Sequence, residues 1–331
     1  MPTHLTYTVR EVTPYINWIY YFHAWGMEPR FAAIADVHNC PACRASWVAT
    51  FPTEEQPKAR EAMKLYDEAI EILRQWADAP MCHALFLLTD AYSDGDDLIV
   101  NGKVRLPLLR QQRASKSGYT LCLSDFIKAK NEDEDEDENQ PSEDSLLSVV
   151  CCPLTLNPQP STLNPKQKHD INNTIGLFAT TSSPFGGNER GASLQLSTLS
   201  DRLAEATAEK MHEEVRKHYW GYAPDEQLTM RELHNEQFQG IRPAVGYPSL
   251  PDQSINFLID ELLHLEEIGI TLSENGAMKP HCSVSGLMFA HPKAHYFSIG
   301  RISEEQLTDY AHRRHIPLEQ AKKFLAALIS Y

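Results

Sequence analysis

The residue in this chain best suited to gripping a small ligand is an arginine set in a proline-flanked ribbon. In Gln239-Gly240-Ile241-Arg242-Pro243-Ala244-Val245-Gly246-Tyr247-Pro248 the two prolines fix φ and remove backbone donors, which predicts an extended run. Arg242 offers a planar fork that matches a carboxylate, and Tyr247 adds a ring and a hydroxyl. Gly246 is expected to let a ligand approach the main chain, with the backbone groups of Ala244 and Gly246 facing outward. Such a clamp suits a small zwitterion carrying a flat base. The plain alternative is a Pro-rich surface turn with a solvated arginine.

Three other groups invite chemical readings. Asp201, Glu205 and His212 share a face of a predicted helix, where a solvated polar face is the default. Cys40-Pro-Ala-Cys43 with His38 nearby is a lone CxxC. A structural zinc site needs four ligands, and Cys82-His83 is the only nearby supplement, so a loop embellishment is expected ahead of a metal or redox pair. His281, His291 and His295 have only Cys282 as a neighbouring ligand type, which favours hydrogen-bonded surface histidines. No metal site and no catalytic residue is predicted. A Gly-rich nucleotide loop following a strand is absent, and no general base stands out.

The elements that must position these residues follow from periodicity. Rings at Tyr15, Trp18, Tyr20, Tyr21, Phe22 and Trp25, around Ile16 and Ile19, are expected to be mostly core. Thr53-x-x-Gln56 reads as a capping box opening an amphipathic helix that ends before Pro80. Residues 83–89 read as a buried strand, and Asn101-Gly102 as the turn of a hairpin. Gly95-Asp96-Asp97 is expected to be a solvated turn, and 119–127 another strand. Strand 175–179 precedes a long helix from about Ser193 to Trp220, whose buried stripe comprises Leu196, Leu199, Leu203, Ala206, Met211, Val215 and Tyr219. Thr229 caps a shorter helix carrying Glu236, and Asp252 caps one that stops at Gly269. Residues 283–290 and 296–299 read as paired strands, and Ser303 and Pro317 open two final helices. Strands and helices mix without a βαβ rhythm, so the fold class is α+β.

The chain has 331 residues, and 42% hydrophobic content is ample for a core. Thirty basic against 45 acidic residues, net −15, argue against nucleic acid or anionic lipid as partner. Seven cysteines with no signal peptide ahead of them suit a reducing compartment, and no apolar run approaches a membrane span. A cytoplasmic protein is expected, with no membrane partner. From about 128 to 168 the chain carries the acidic run Glu132 to Glu138, then Cys151-Cys152 and two Leu-Asn-Pro triplets. Little of this can bury a core, which predicts a disordered or irregular insertion within one domain spanning 1–331. The stretch from Thr180 to Ala192 is rich in Ser and Gly, and its local structure is not readable from the sequence.

The stretch Asp201 to Pro224, ending Tyr219-Trp-Gly-Tyr-Ala-Pro224, resembles the activation domain of cobalamin-dependent methionine synthase. Gly269-Ile-Thr-Leu-Ser-Glu274, Ser283-Val-Ser-Gly286, Phe289-Ala-His-Pro292 and Tyr296-Phe297 resemble it in the same order. Thinner agreement reaches the N-terminal half through Tyr15-Ile-Asn-Trp18, Gly95-Asp-Asp97, Leu109-Arg-Gln-Gln112 and Leu123-Ser-Asp-Phe126. The resemblance implies a single curved domain with a twisted antiparallel central sheet and surrounding helices. It also implies S-adenosylmethionine as ligand, with Asn17, Glu205, Glu236, Arg242, Ala244, Gly246, Tyr247, Tyr296 and Phe297 around it. Asp201 would stand where the family holds a histidine released from cobalt.

The departures from the family are Asn17 for an aspartate, Phe297 for a second tyrosine, and Gln253 for a histidine. The activity implied is accessory: one electron from a flavodoxin-type protein and a methyl group from S-adenosylmethionine return oxidised cobalamin to its methylated state. Because no corrinoid-, folate- or homocysteine-binding module is found in the sequence, the corrinoid is expected on a separate methionine synthase chain, with no turnover by this chain alone. A basic patch at Arg313-Arg314 or Lys322-Lys323 is expected to receive the acidic electron donor. The alternatives are a regulatory protein that senses S-adenosylmethionine, an independent methyltransferase, or a chain that has lost the ligand.

Overall fold

In the computed structural model, which describes residues 1–113, 118–130, 169–183 and 193–329, helices flank a curled antiparallel sheet. The chain runs β1 (Thr3–Tyr7), α1 (Val9–Val12), α2 (Trp18–His23), α3 (Pro41–Ala49), α4 (Gln56–Gln75), β2 (Cys82–Asp94), β3 (Asp97–Val100), β4 (Val104–Pro107) and β5 (Thr174–Ser182). It continues through α5 (Leu194–Glu214), α6 (Met230–His234), α7 (Ile255–Leu263), β6 (Thr271–Leu272), β7 (Met278–Lys279), β8 (Ser283–Met288), α8 (Glu304–Arg313) and α9 (Leu318–Phe324). The larger sheet has the order β4-β3-β2-β5-β8. The first part of β2 pairs with β5 on one edge and with β1 on the other, and its last four residues pair with β3. The α+β class and the curved antiparallel sheet expected above are therefore observed.

Strand β5 is buried at every position, because two cores meet on it. Phe178, with Phe86 and Met288 of its neighbours, packs toward α5 and the N-terminal helices. Ile175, Leu177 and Ala179 point the other way, into the core completed by α7. The period-2 alternation of a strand thus serves two apolar layers at once. Truncating Phe178 to Ala would cost about 3–5 kcal/mol. Helix α5 is held to β5 by side-chain bonds as well as packing: Thr180 Oγ1 donates to the Ala204 carbonyl at 3.0 Å and Ser182 Oγ to that of Ser200 at 2.7 Å. Ser193 caps the helix, and Leu199, Leu203, Ala206, Met211 and Val215 are buried as the spacing predicts. Beyond Glu214 the helix widens into a π turn over Val215–Tyr219, which turns Tyr219 outward from the expected stripe.

Several local expectations are corrected. Helix α4 starts at Gln56 with no side-chain cap, so Thr53 does not form the expected box. Residues 123–126 form a 3-10 turn in place of a strand, and 296–299 run without a ladder, because the edge of β8 is taken by another segment. Helix α7 ends at Leu263, where His264 adopts a left-handed conformation. Ile16, Tyr21 and Phe22 are core, but Ile19 and Tyr20 are exposed. Asn101 and Gly102 both have positive φ, as the hairpin reading requires.

The Asp96-Asp97 turn is not a solvated one. Asp97 is fully buried and accepts from Arg105 and Arg313, while Asp96 and Asp125 hold Arg110. Arg314 in turn donates to Ser254 Oγ at 2.8 Å. Arg313 thus ties α8 to the sheet and Arg314 ties the end of α8 to the start of α7, so the two are structural cations and not the free basic patch expected. Lys128–Lys130, placed in the insertion by composition, lie against β2, with Lys128 bonded to Ser93 and Asn172. The acidic run, Cys151-Cys152, the Leu-Asn-Pro triplets and residues 184–192 lie outside the described residues. Among the described residues no helix is long and apolar enough to cross a membrane.

Candidate functional site

The ribbon around Arg242 lies on the outer edge of β8. Ile241 and Phe289 exchange both backbone hydrogen bonds at 2.9 Å, Leu287 N–H donates to the Pro243 carbonyl at 3.0 Å, and Val245 N–H donates to Ser285 at 2.9 Å. The proline at 243 is tolerated because its carbonyl is the group the ladder uses. This approach requires a glycine opposite: a Cβ on Gly286 would stand 2.2 Å from the Pro243 carbonyl oxygen. The extended conformation predicted from the prolines is thus held by the sheet.

Where this ribbon faces α5, a cleft of about 470 Å³ opens, also walled by the start of α2, the end of α6 and residues 296–298. That volume suits a small organic ligand. Helix α5 contributes Arg202, Glu205, Ala206 and Glu209, spaced to share one face. Asn17, Glu205, Glu236, Arg242, Ala244, Tyr247, Tyr296 and Phe297 all line the cleft. Of the residues expected there, the structure leaves out two. Asp201 lies one turn before Glu205 and does not line the cleft, and neither does Gly246. The φ of +89° at Gly246 explains its glycine by turn geometry, not ligand approach. Its N–H donates to the Leu250 carbonyl at 2.8 Å, and the Ala244 carbonyl accepts from Tyr247 at 3.2 Å, so these two groups close the turn.

Arg242 is buried beside the Phe178 ring of β5, its guanidinium 5.3 Å from the ring centroid. Nη2 donates to Glu209 Oε1 at 2.6 Å, while Arg242 Nε and Glu209 Oε2 are buried with no hydrogen-bond partner among the described residues. Burial disfavours its charged form, but Glu209, Tyr296 and Glu205 more than offset that and hold the guanidinium firmly protonated. The Tyr296 hydroxyl accepts the Arg242 backbone N–H at 2.9 Å, and burial pushes its own pKa up to about 12. Tyr247 donates to Glu205 Oε1 at 3.0 Å, with burial and Glu205 raising its pKa to about 12.

Glu236 sits just past α6 with φ +57°, a left-handed position usually filled by glycine. Desolvation, then the neighbouring Glu209 charge, raise its pKa. Asn17 caps α2, its Oδ1 accepting from Ile19 N–H at 3.1 Å. His234 Nε2 lies 3.0 Å from the Tyr15 carbonyl and ties α6 to the N-terminal wall. Three carboxylates, Glu205, Glu209 and Glu236, thus face two guanidiniums, Arg202 and Arg242. A cleft with carboxylates in excess complements a ligand whose positive charge exceeds its negative charge.

Among the lining residues that the sequence reading missed are Glu209, Arg202, Tyr15, Tyr20 and His234. For Glu209 the signal was present, since it stands four residues after Glu205. His212, chosen instead for that face, is fully buried and accepts from Arg216 Nη1 at 2.9 Å. Desolvation, with the Arg216 and Arg242 charges, keeps it neutral.

Away from the cleft, Cys40 and Cys43 are free thiols at the start of α3. Hydrogen bonds from Cys43 and His38 lower the Cys40 pKa to about 6. Cys82, the expected supplement, is instead buried in the sheet. His291 and His295 bond locally to the Lys293 backbone and pack against Phe126.

Comparison with known proteins sets this geometry in context. Residues 8–138 and 163–315 match the family described as vitamin B12 dependent methionine synthase, activation domain. Among solved structures, the chain is similar to the MetH reactivation domain bound to AdoHcy, with a TM-score of 0.74 and 26% identity over 100% of this chain and 91% of that one.

Proposed function

Because the chain belongs to the activation-domain family of vitamin B12 dependent methionine synthases, we propose that its cleft binds S-adenosylmethionine and presents the methyl group to a corrinoid held by another module. The observation that carries this reading is the Arg242–Glu209 pair at the cleft, with one buried polar atom on each side chain left without a partner. Buried polar atoms in native proteins are nearly always hydrogen-bonded, so an orphaned pair lining an open cleft points to a ligand that completes it. S-adenosylmethionine carries an ammonium, a sulfonium and one carboxylate, an excess of positive charge that matches the excess of carboxylates here. Arg242 Nε faces the ligand carboxylate in this reading, Glu209 and Glu236 balance the cationic centres, and Tyr296 and Phe297 wall the adenosyl group. The similarity to a reactivation domain bound to AdoHcy supports the same assignment.

This chain's share of the chemistry is binding and orientation. The sheet edge fixes the ribbon, α5 fixes the carboxylates, and together they hold the methyl donor in one pose, which lowers the entropic barrier to transfer. The corrinoid supplies the cobalt that accepts the methyl group. One electron from a flavodoxin-type donor and one methyl cation equivalent from S-adenosylmethionine balance the step, leaving S-adenosylhomocysteine.

Calorimetry on the full chain tests the ligand. S-adenosylmethionine is expected to bind at one site, and S-adenosylhomocysteine roughly tenfold more weakly because it lacks the sulfonium charge. Absence of heat with either would refute the assignment. Adding a corrinoid methionine synthase module and a reductant then separates roles: methylcobalamin formation that depends on this chain supports reactivation, whereas ligand binding without it marks a sensor.

A further inference from the structure

We propose that His38, Cys40 and Cys43, none of which lines the ligand cleft, form a binding site for a thiophilic divalent cation of the zinc class. One donor atom from each of these residues lies within 4.8 Å of the other two. Tetrahedral zinc with bonds of about 2.0–2.3 Å needs its donors about 3.4–3.8 Å apart, a change within reach of small side-chain rotations. His38 and Cys43 are exposed and Cys40 partly so, and such rotations meet little resistance there.

Local backbone geometry builds the cluster. Cys40 caps α3, with Cys43 N–H donating to its sulfur at 3.2 Å. One helical turn separates the two cysteines, which puts them on the same face. The Cys40 N–H donates to the His38 carbonyl at 2.8 Å, a tight turn that folds the imidazole back toward the thiols. Two sulfurs and one imidazole select zinc-like cations over magnesium or calcium, which prefer oxygen. A disulfide between the cysteines has no use for the third donor, and that convergence separates the two readings.

The site also has something to hold. Helix α3 buries only Val48, and an ion pair from Arg44 to Asp67 at 2.5 Å ties it to α4. Coordination joins the loop before α3 to its first turn. Any proton still on the thiols leaves to solvent as the cation binds, and the fourth position takes water or a donor from another molecule.

The test uses the full chain, metal-stripped and reduced with a phosphine. One equivalent of Co²⁺ is expected to give a thiolate-to-cobalt charge-transfer band with visible bands of tetrahedral intensity. Zn²⁺ should displace it and raise the melting temperature. Cys40→Ser and Cys43→Ser should each abolish the band, while His38→Ala should weaken Co²⁺ binding roughly tenfold or more. Serine is a good helix cap, so Cys40→Ser retains α3, and unchanged S-adenosylmethionine binding by that variant checks the fold. Cys151→Ser/Cys152→Ser should leave the spectrum unaltered. The proposal is overturned if reduced protein gives no charge-transfer band at stoichiometric Co²⁺. It is equally overturned if the Cys40→Ser/Cys43→Ser double variant gives the parent's spectrum.

Discussion

Among the described residues two arginines are buried beside aromatic rings, and they are finished differently. Arg216, at the π turn after α5, is fully buried 4.2 Å from the Phe238 ring centroid. Its Nε and Nη2 meet both carboxylate oxygens of Glu226, and Nη1 donates to neutral His212. Arg242 sits beside Phe178 with a single short bond from Nη2 to Glu209, and its Nε is unmatched. The first has a full set of partners within the fold, so its charge stabilises the native packing. The second has been desolvated without completion, which costs stability unless something else arrives. Between these two residues the difference lies in hydrogen-bond completeness, not in burial or residue type.

The comparison breaks most decisively at Arg216. Arg216→Ala strands Glu226 in a dry site and is expected to cost about 3–5 kcal/mol of stability by denaturant unfolding, with the folded fraction still binding S-adenosylmethionine normally. Arg242→Ala should do the reverse, lowering affinity at least a hundredfold, on the order of 3 kcal/mol, while the melting temperature changes little. Equal affinity in that variant would erase the distinction. Tyr296→Phe leaves the Arg242 N–H without its acceptor and should cost about 1–3 kcal/mol, shared between fold and ligand, read by melting and calorimetry together.

Glu236→Gly relieves a left-handed backbone and should raise stability by up to about 1 kcal/mol while weakening the ligand several-fold. Because the Glu236 pKa is raised, its neutral form suits the empty fold: its contribution to stability is present below the unfolded pKa and lost as pH rises through the folded one. Affinity for the cationic ligand should run the other way, falling as acid neutralises Glu236, and a pH series in calorimetry shows which sign holds. The smallest effect is a gain. Asn17→Asp places a carboxylate on the cleft wall and should tighten binding by about 0.5–1 kcal/mol.

Much of the site was legible because its chemistry is local. Prolines at 243 and 248 announce an extended ribbon, and the spacing of Glu205 announces a helix face. What failed depended on rotation or distance. His212 lies seven residues after Glu205, yet its side turns inward to Arg216, while Glu209 at the nearer step faces the cleft. Tyr20 reads as core from its aromatic neighbours but lies exposed along the wall. The expected strand at 296–299 lost its place because the ribbon, some fifty residues earlier, occupies that edge of β8. The carboxylates at 96 and 97 looked solvated because their cations, Arg110 and Arg313, come from elsewhere in the chain. No local pattern carries such pairings.

The seating of the ribbon on β8 has a consequence for how the molecule behaves in crowded solution. An uncovered outer strand is a template on which another chain can add itself, and here that template is masked by the same segment that carries Arg242. A side chain introduced at Gly286 would prise the mask away. The damage would then show first as self-association, with loss of the ligand following from it.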